Sequence, residues 1–175
     1  MACNLTSAIA LDCIDSIGGV KTLYISANTD LGTPVVGVTG YITSLVGATG
    51  TFYEYAVPKD TSSFNEVFTV SNTNSSVFYQ QDVVANLPKL SSEKRNQLLL
   101  LCKNRDLKVV VEDNNGSLWL VGQTRGAVVS AGTSSTGTAV GDLNGYTVTV
   151  QAQEPAMAIQ LASLTALTGI TIVSA

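Results

Sequence analysis

The residues able to do chemistry are few, and their spacing argues against most chemistries. The sequence contains no histidine among its 175 residues. That removes any His-based triad, any histidine-ligated metal and any imidazole proton shuttle. Three cysteines are present, Cys3, Cys13 and Cys102. None forms the CxxC pair of a zinc knuckle or a thioredoxin-like site. Cys102 sits in a leucine run and reads as a small buried apolar residue. Cys3 and Cys13 lie close enough in sequence for a bridge that a reducing cytosol does not require.

Carboxylates come in two close pairs, Asp12 with Asp15 and Glu112 with Asp113. Neither has the spacing of a calcium loop. The second pair falls at a hairpin turn, where Asp is common for conformational reasons. Gly132 to Thr138 (GTSSTGT) copies the glycine spacing of a phosphate-binding loop. Thr138 stands where the lysine is needed, and a strand pattern follows instead of a helix, so the segment reads as a surface loop. No catalytic residue, no cofactor and no metal ligand is nominated, and the chain is expected not to be an enzyme.

What remains is charge and aromatic placement. Only 13% of residues are charged, and the net charge is −4. An acidic balance argues against a nucleic-acid coat and against sequence-specific nucleic-acid binding. Five of the nine basic residues, Lys94, Arg95, Lys103, Arg105 and Lys108, fall in one short stretch. No aromatics interleave them to stack bases, so they read as a solvated helix face or a contact to an acidic subunit. Tyr53, Tyr55 and Phe64 concentrate aromatic area around Pro58-Lys59-Asp60. They fit either a core sheet or a projecting hairpin that anchors another subunit. After Gly126 the only charges are Asp142 and Glu154.

The elements that must position these residues are mostly strands. Val20–Ser26, Val35–Val46 and Thr51–Val57 are rich in β-branched and aromatic residues. Asn28–Pro34 carries turn chemistry between the first two. Phe64–Ser71 and Ser76–Leu87 predict a hairpin around Asn72-Thr73-Asn74. Ser91 or Ser92 predicts the cap of one helix over 91–104, with Leu98, Leu101 and Cys102 as its apolar stripe. Lys108–Glu112 and Ser117–Gly122 flank Asn115-Gly116, the signature of a type I′ hairpin turn. Gly126–Ser130 predicts a strand, Gly132–Asp142 a loop, and Tyr146–Gln153 an alternating half-buried strand ended by Pro155. No βαβ alternation occurs. The expected fold is mainly β: an antiparallel sandwich or small barrel over 20–155, one packed α-helix, and extended terminal arms, with an N-terminal arm over 1–19 and a C-terminal strand or arm over 156–175. The N-terminal stretch lacks the basic lead of a signal peptide. The uncharged tail is broken by Gln160, Ser163, Thr165, Thr168 and Gly169, so no membrane association is expected.

Long uncharged β edges are templates for pairing, and other copies of the chain are their simplest cover. The order of the elements resembles the tail tube proteins of phages and related injection systems. The resemblance rests on Val35–Val46, the aromatic segment Thr51–Phe64, the helix LSSEKRNQLLLLCKN, the hairpin VVVEDNNGSLWLVG and the late GDLNGYTVTVQAQEP. It implies a virion protein, made in the host cytoplasm, whose rings, commonly of six subunits, stack into a hollow tube alongside other virion proteins. It also implies that the Thr51–Phe64 segment and the arms touch neighbouring subunits. The candidate interface residues are Tyr53, Tyr55, Lys59, Asp60, Phe64, Ile159, Leu161 and Leu164. A negatively charged lumen would keep passing DNA from sticking. A capsid decoration or head–tail connector protein, and a ligand-binding β-domain using Trp119 and the tyrosines, are the competing expectations.

Overall fold

A computed structural model describes residues 7–11, 13–27, 30–167 and 169–175. Cys3, Asp12, Asn28 and Thr168, singled out above, lie outside the described residues. The protein is mainly β with one α-helix, and its strands form one continuous twelve-stranded sheet that folds back on itself.

The centre is β1 (Val20–Ala27), antiparallel to both β4 (Gly50–Ala56) and β7 (Leu107–Asp113). From β7 the sheet runs to β8 (Leu118–Val121), β11 (Ile159–Leu161), β3 (Ile42–Val46) and β2 (Thr33–Val36). Beyond the start of β7, one pair, Leu107 opposite Ala127, leads into a second layer. That layer is β9 (Ala127–Ser135), β10 (Gly145–Glu154), β6 (Ser76–Pro88) and β5 (Ser63–Ser71), all antiparallel. A last strand, β12 (Ile170–Val173), adds parallel to β4.

Two cores result because the central strands bury both faces. Leu23, Ile25, Val109 and Val111 face the second layer and pack with Val83, Val148 and Val150. Tyr24 and Val110 face the other way, with Ile42, Leu45, Phe52, Leu120 and Leu161. A strand buried on both sides reads as an apolar run without alternation, as KVVV does in β7.

The helix α1 (Ser92–Lys103) begins at Ser91, whose Oγ accepts the Lys94 N–H at 3.2 Å. Glu93 lies in its first turn and Lys103 in its last, both favourable to the helix dipole. Leu98 and Leu101 anchor it over the first core. Cys102 is exposed, correcting its reading as a buried residue. The helix turns it away from the stripe that Leu98 and Leu101 define.

Three further corrections concern backbone. The 35–46 run is not one strand. It breaks between β2 and β3, where Gly40, at φ +83°, donates to the Gly37 carbonyl. The turn after β7 is not type I′, because Gly116 has a positive φ of 84° and Asn115 does not. The Gly116 N–H bonds the Asp113 carbonyl at 3.1 Å, the form of a longer loop closed by a left-handed glycine. The glycine- and serine-rich stretch is strand as far as Ser135, held by β10 through pairs such as Thr133 opposite Thr147. Residues 156–175 are drawn into the sheet as β11 and β12, with a 3-10 turn (Leu164–Ala166) between them.

Candidate assembly surface

The second layer ends in two open edges. β5 pairs only with β6, and β9 beyond Ala127 pairs only with β10. Among the described residues, Ser63–Ser71 and Val128–Ser135 therefore present backbone groups to solvent. Neither edge carries the lysines or prolines that usually discourage pairing.

The two faces of this layer differ. On one face, Phe64 and Val83 belong to the first core. The same face continues outward through Phe68, Val70, Val77 and Tyr79, opposite one another in register. Phe68, Val70 and Val77 are 57, 66 and 48% exposed, and the Phe68 ring meets Tyr79 edge-on at 5.5 Å. The apolar face thus runs past the body that covers it. The opposite face is a polar ladder. Thr147 Oγ1 bonds Asn86 Oδ1 at 2.6 Å, and Gln151 Nε2 donates to Asp82 Oδ1 at 2.7 Å. Asp82 is the only charge on the ladder's central rungs, and Arg105 and Arg125 border one end of it.

A buried polar network fixes the hairpin against the body. Gln81 is 1% exposed. Its Nε2 donates to Glu66 Oε1 at 2.9 Å, and its Oε1 accepts the Gly122 N–H at 3.2 Å. Glu66 Oε1 also accepts the Ala158 N–H at 2.8 Å. Nearby, buried Glu154 accepts the backbone N–H groups of Thr124 and Arg125. Each carboxylate is satisfied by donors, as buried charge requires.

A groove lies between α1 and β4. Two adjoining cavities of about 440 and 690 Å³ share Tyr53, Tyr55 and Gln97. Leu98 lies in the first, and Leu100 and Leu101 in the second. Burial pushes the Tyr55 phenol above its usual pKa, helped by Tyr53 beside it.

The eight sequence-predicted interface residues do not form one patch. Tyr53 and Tyr55 line the groove. Phe64 packs at the rim of the first core, 6.3 Å from the Trp119 ring. Lys59 and Asp60 are exposed in the β4–β5 turn, with Asp60 at φ +60°. Thr51–Phe64 is not a projecting hairpin, because β4 is paired on both sides, by β1 and β12. Ile159, Leu161 and Leu164 pack into the second core. Leu161 is only 4% exposed, which removes it from any contact with a neighbour. The sequence reading missed Phe68, Val70 and Val77. Their signal was apolar residues on both faces of one hairpin arm, Val67 on one and Phe68 and Val70 on the other, more than a one-sided core contact needs.

The other chemical candidates resolve into structural roles. Lys108 is buried, its ammonium 2.8 Å from Asp106, so it leaves the surface basic cluster. Lys94 Nζ donates to the Pro88 carbonyl. Asp113 Oδ1 accepts the N–H groups of Asn115 and Ser117 at 2.9 and 2.8 Å and so closes its turn. Glu112 pairs with Lys21 at 2.5 Å and accepts the Tyr24 hydroxyl at 3.2 Å. Burial first, then the Glu112 charge, push Tyr24 up to about 12. In the Gly-rich loop, the Thr138 and Ala139 N–H groups are already donated to Asp142 Oδ2, at 2.8 and 2.7 Å. An anion would find those donors taken. Among the described residues no group of three His, Cys, Asp or Glu could hold a metal ion. No helix among them is long and apolar enough to cross a membrane.

Comparison of the chain with protein-family models, with curated proteins and with solved structures returns no match.

Proposed function

We propose that this chain is a structural virion protein that self-assembles through its sheet edges into stacked rings, forming a tail tube for genome passage. The observation that carries this reading is the pair of open edges on opposite sides of one four-stranded layer, β9-β10-β6-β5. β5 and β9 are each nine residues long. The strands alternate in direction, so β5 of one copy laid on β9 of the next continues the antiparallel order. Such a contact is heterologous: rotation closes it into a ring, and stacking along the axis extends it. The uncovered stretch Phe68–Val70 would be buried in the same contact. The polar ladder of Thr147, Gln151, Asn86 and Asp82 suits a lumen wall, since few charges face the passing phosphates.

Negative-stain microscopy with sedimentation velocity of the purified chain tests this. Rings or tubes are expected. Isolated trimers would instead support a capsid decoration role, and a monomer at every concentration would refute self-assembly.

A further inference from the structure

We propose that the segment before β1 of one copy seats in the α1–β4 groove of a second copy. The inference rests on self-assembly but not on a tube. Ile9, Leu11 and Ile14 are 99, 101 and 107% exposed, so their side chains are uncovered among the described residues. Three fully hydrated aliphatic side chains in one short stretch mark a surface that a partner covers. The groove offers the matching apolar floor in Tyr53, Tyr55, Leu98 and Leu100.

Charge sets the direction. The segment contains Asp12 and Asp15 and no basic residue before Lys21. Lys103 lies at one end of the groove and has no ion-pair partner among the described residues. Glu54 and Glu93 border the other end, together with Lys94, whose ammonium is engaged by the Pro88 carbonyl. The acidic positions therefore belong at the Lys103 end.

The geometry also favours a second copy over the chain's own groove. The root of the segment is pinned to the β7–β8 turn. Asn115 Nδ2 donates to the Ile17 carbonyl at 2.7 Å, and Asn114 Nδ2 to the Gly18 carbonyl at 2.7 Å. This is the Asp113 end of β7, whereas Ile25 and Ala27, which line the groove, lie toward Leu107. The segment therefore leaves β1 far from Lys103, the end of the groove to which its carboxylates belong, whereas Ala56, opposite Thr22, brings the Glu93 end near its root.

The test uses two full-length chains expressed together. One keeps only Cys13 (Cys3→Ser, Cys102→Ser) and the other only Cys102 (Cys3→Ser, Cys13→Ser). Both native thiols are exposed. A short bismaleimide should yield a linked dimer of the two chains, and Leu100→Glu should abolish it. Lys103→Glu should weaken self-association about tenfold, and Asp15→Lys should restore it. Assemblies that persist by sedimentation without the linked dimer overturn this inference and leave self-assembly standing. So does a chain carrying both Cys13 and Cys102 that links only within itself. A linked dimer that survives Leu100→Glu overturns the groove as the seat. A monomer throughout overturns both readings.

Discussion

Replacing Gln81 by leucine tests the network that holds the β5–β6 hairpin to the body. Gln81 is 1% exposed, and it bonds Glu66 and the Gly122 N–H. Losing a bond to a carboxylate removes about 2 kcal/mol, and the neutral bond about 1 kcal/mol. Stranding the Gly122 N–H away from water adds about 1 kcal/mol more. The leucine side chain recovers about 1 kcal/mol by burial. The net expected loss is about 3 kcal/mol, which in a chain of this size lowers Tm by roughly 6–12 °C. Urea unfolding would measure the loss, with m unchanged. Hydrogen exchange should show the largest gain near Glu66 and Phe68, while the β1–β7 amides keep their protection. Gln81→Glu sets a second carboxylate against Glu66 and should be worse still. A loss below about 1 kcal/mol for Gln81→Leu would refute the reasoning, because stranded donors cannot be that cheap.

Ser91→Ala removes the oxygen that accepts the Lys94 N–H and should cost about 1 kcal/mol in chemical denaturation. Val67→Lys puts a charge on the open β5 edge; it should leave monomer stability within about 0.5 kcal/mol while abolishing rings in sedimentation. Asp142 is held below its ordinary pKa by the Ala139 and Thr138 N–H groups. Its hold on the loop is therefore complete above the ordinary Asp range and is lost as pH falls through the depressed value; slowed exchange at those two amides should vanish on acidification and at all pH in Asp142→Asn. Tyr24, raised to about 12 from 10.0, favours the fold below pH 10 and ceases to do so as pH rises through 12. Alkaline unfolding should therefore begin in that window and shift in Tyr24→Phe; an unchanged alkaline midpoint would count against it.

The parts legible in the sequence were those whose cause is local. Ser91 caps α1 because a hydroxyl three residues ahead of Lys94 can reach its N–H. The β7–β8 hairpin follows from apolar runs around Asn115-Gly116. β10 alternates because one face is core and the other a polar ladder. The hidden parts depend on distant partners. β9 from Ala131 to Ser135 is exposed on both faces, so no alternation marks it; pairing with β10 alone makes it a strand. β12 joins β4 in parallel, and nothing near Ile170 announces Gly50 as its partner. The candidate assembly surface is legible in the sequence only as a deficit of charge. The same deficit describes both an interface and the second core, which is why Leu161 was assigned to the wrong side of that distinction. Tyr53 and Tyr55 stand out in the sequence because, with Phe52, they put aromatic area on both faces of Thr51–Val57, more than a one-sided core strand needs; Phe52 fills the second core and the two tyrosines line the groove.

β7 gives Val109 and Val111 to one core and Val110 to the other, and β1 divides Leu23 and Tyr24 in the same way. Neither core can be emptied without disordering strands that the other requires. One core cannot melt while the other persists, so the two cores should lose their structure in one cooperative step, with the outer end of the β5–β6 hairpin opening more readily. Strain applied at one edge of the sheet is then resisted by both cores together.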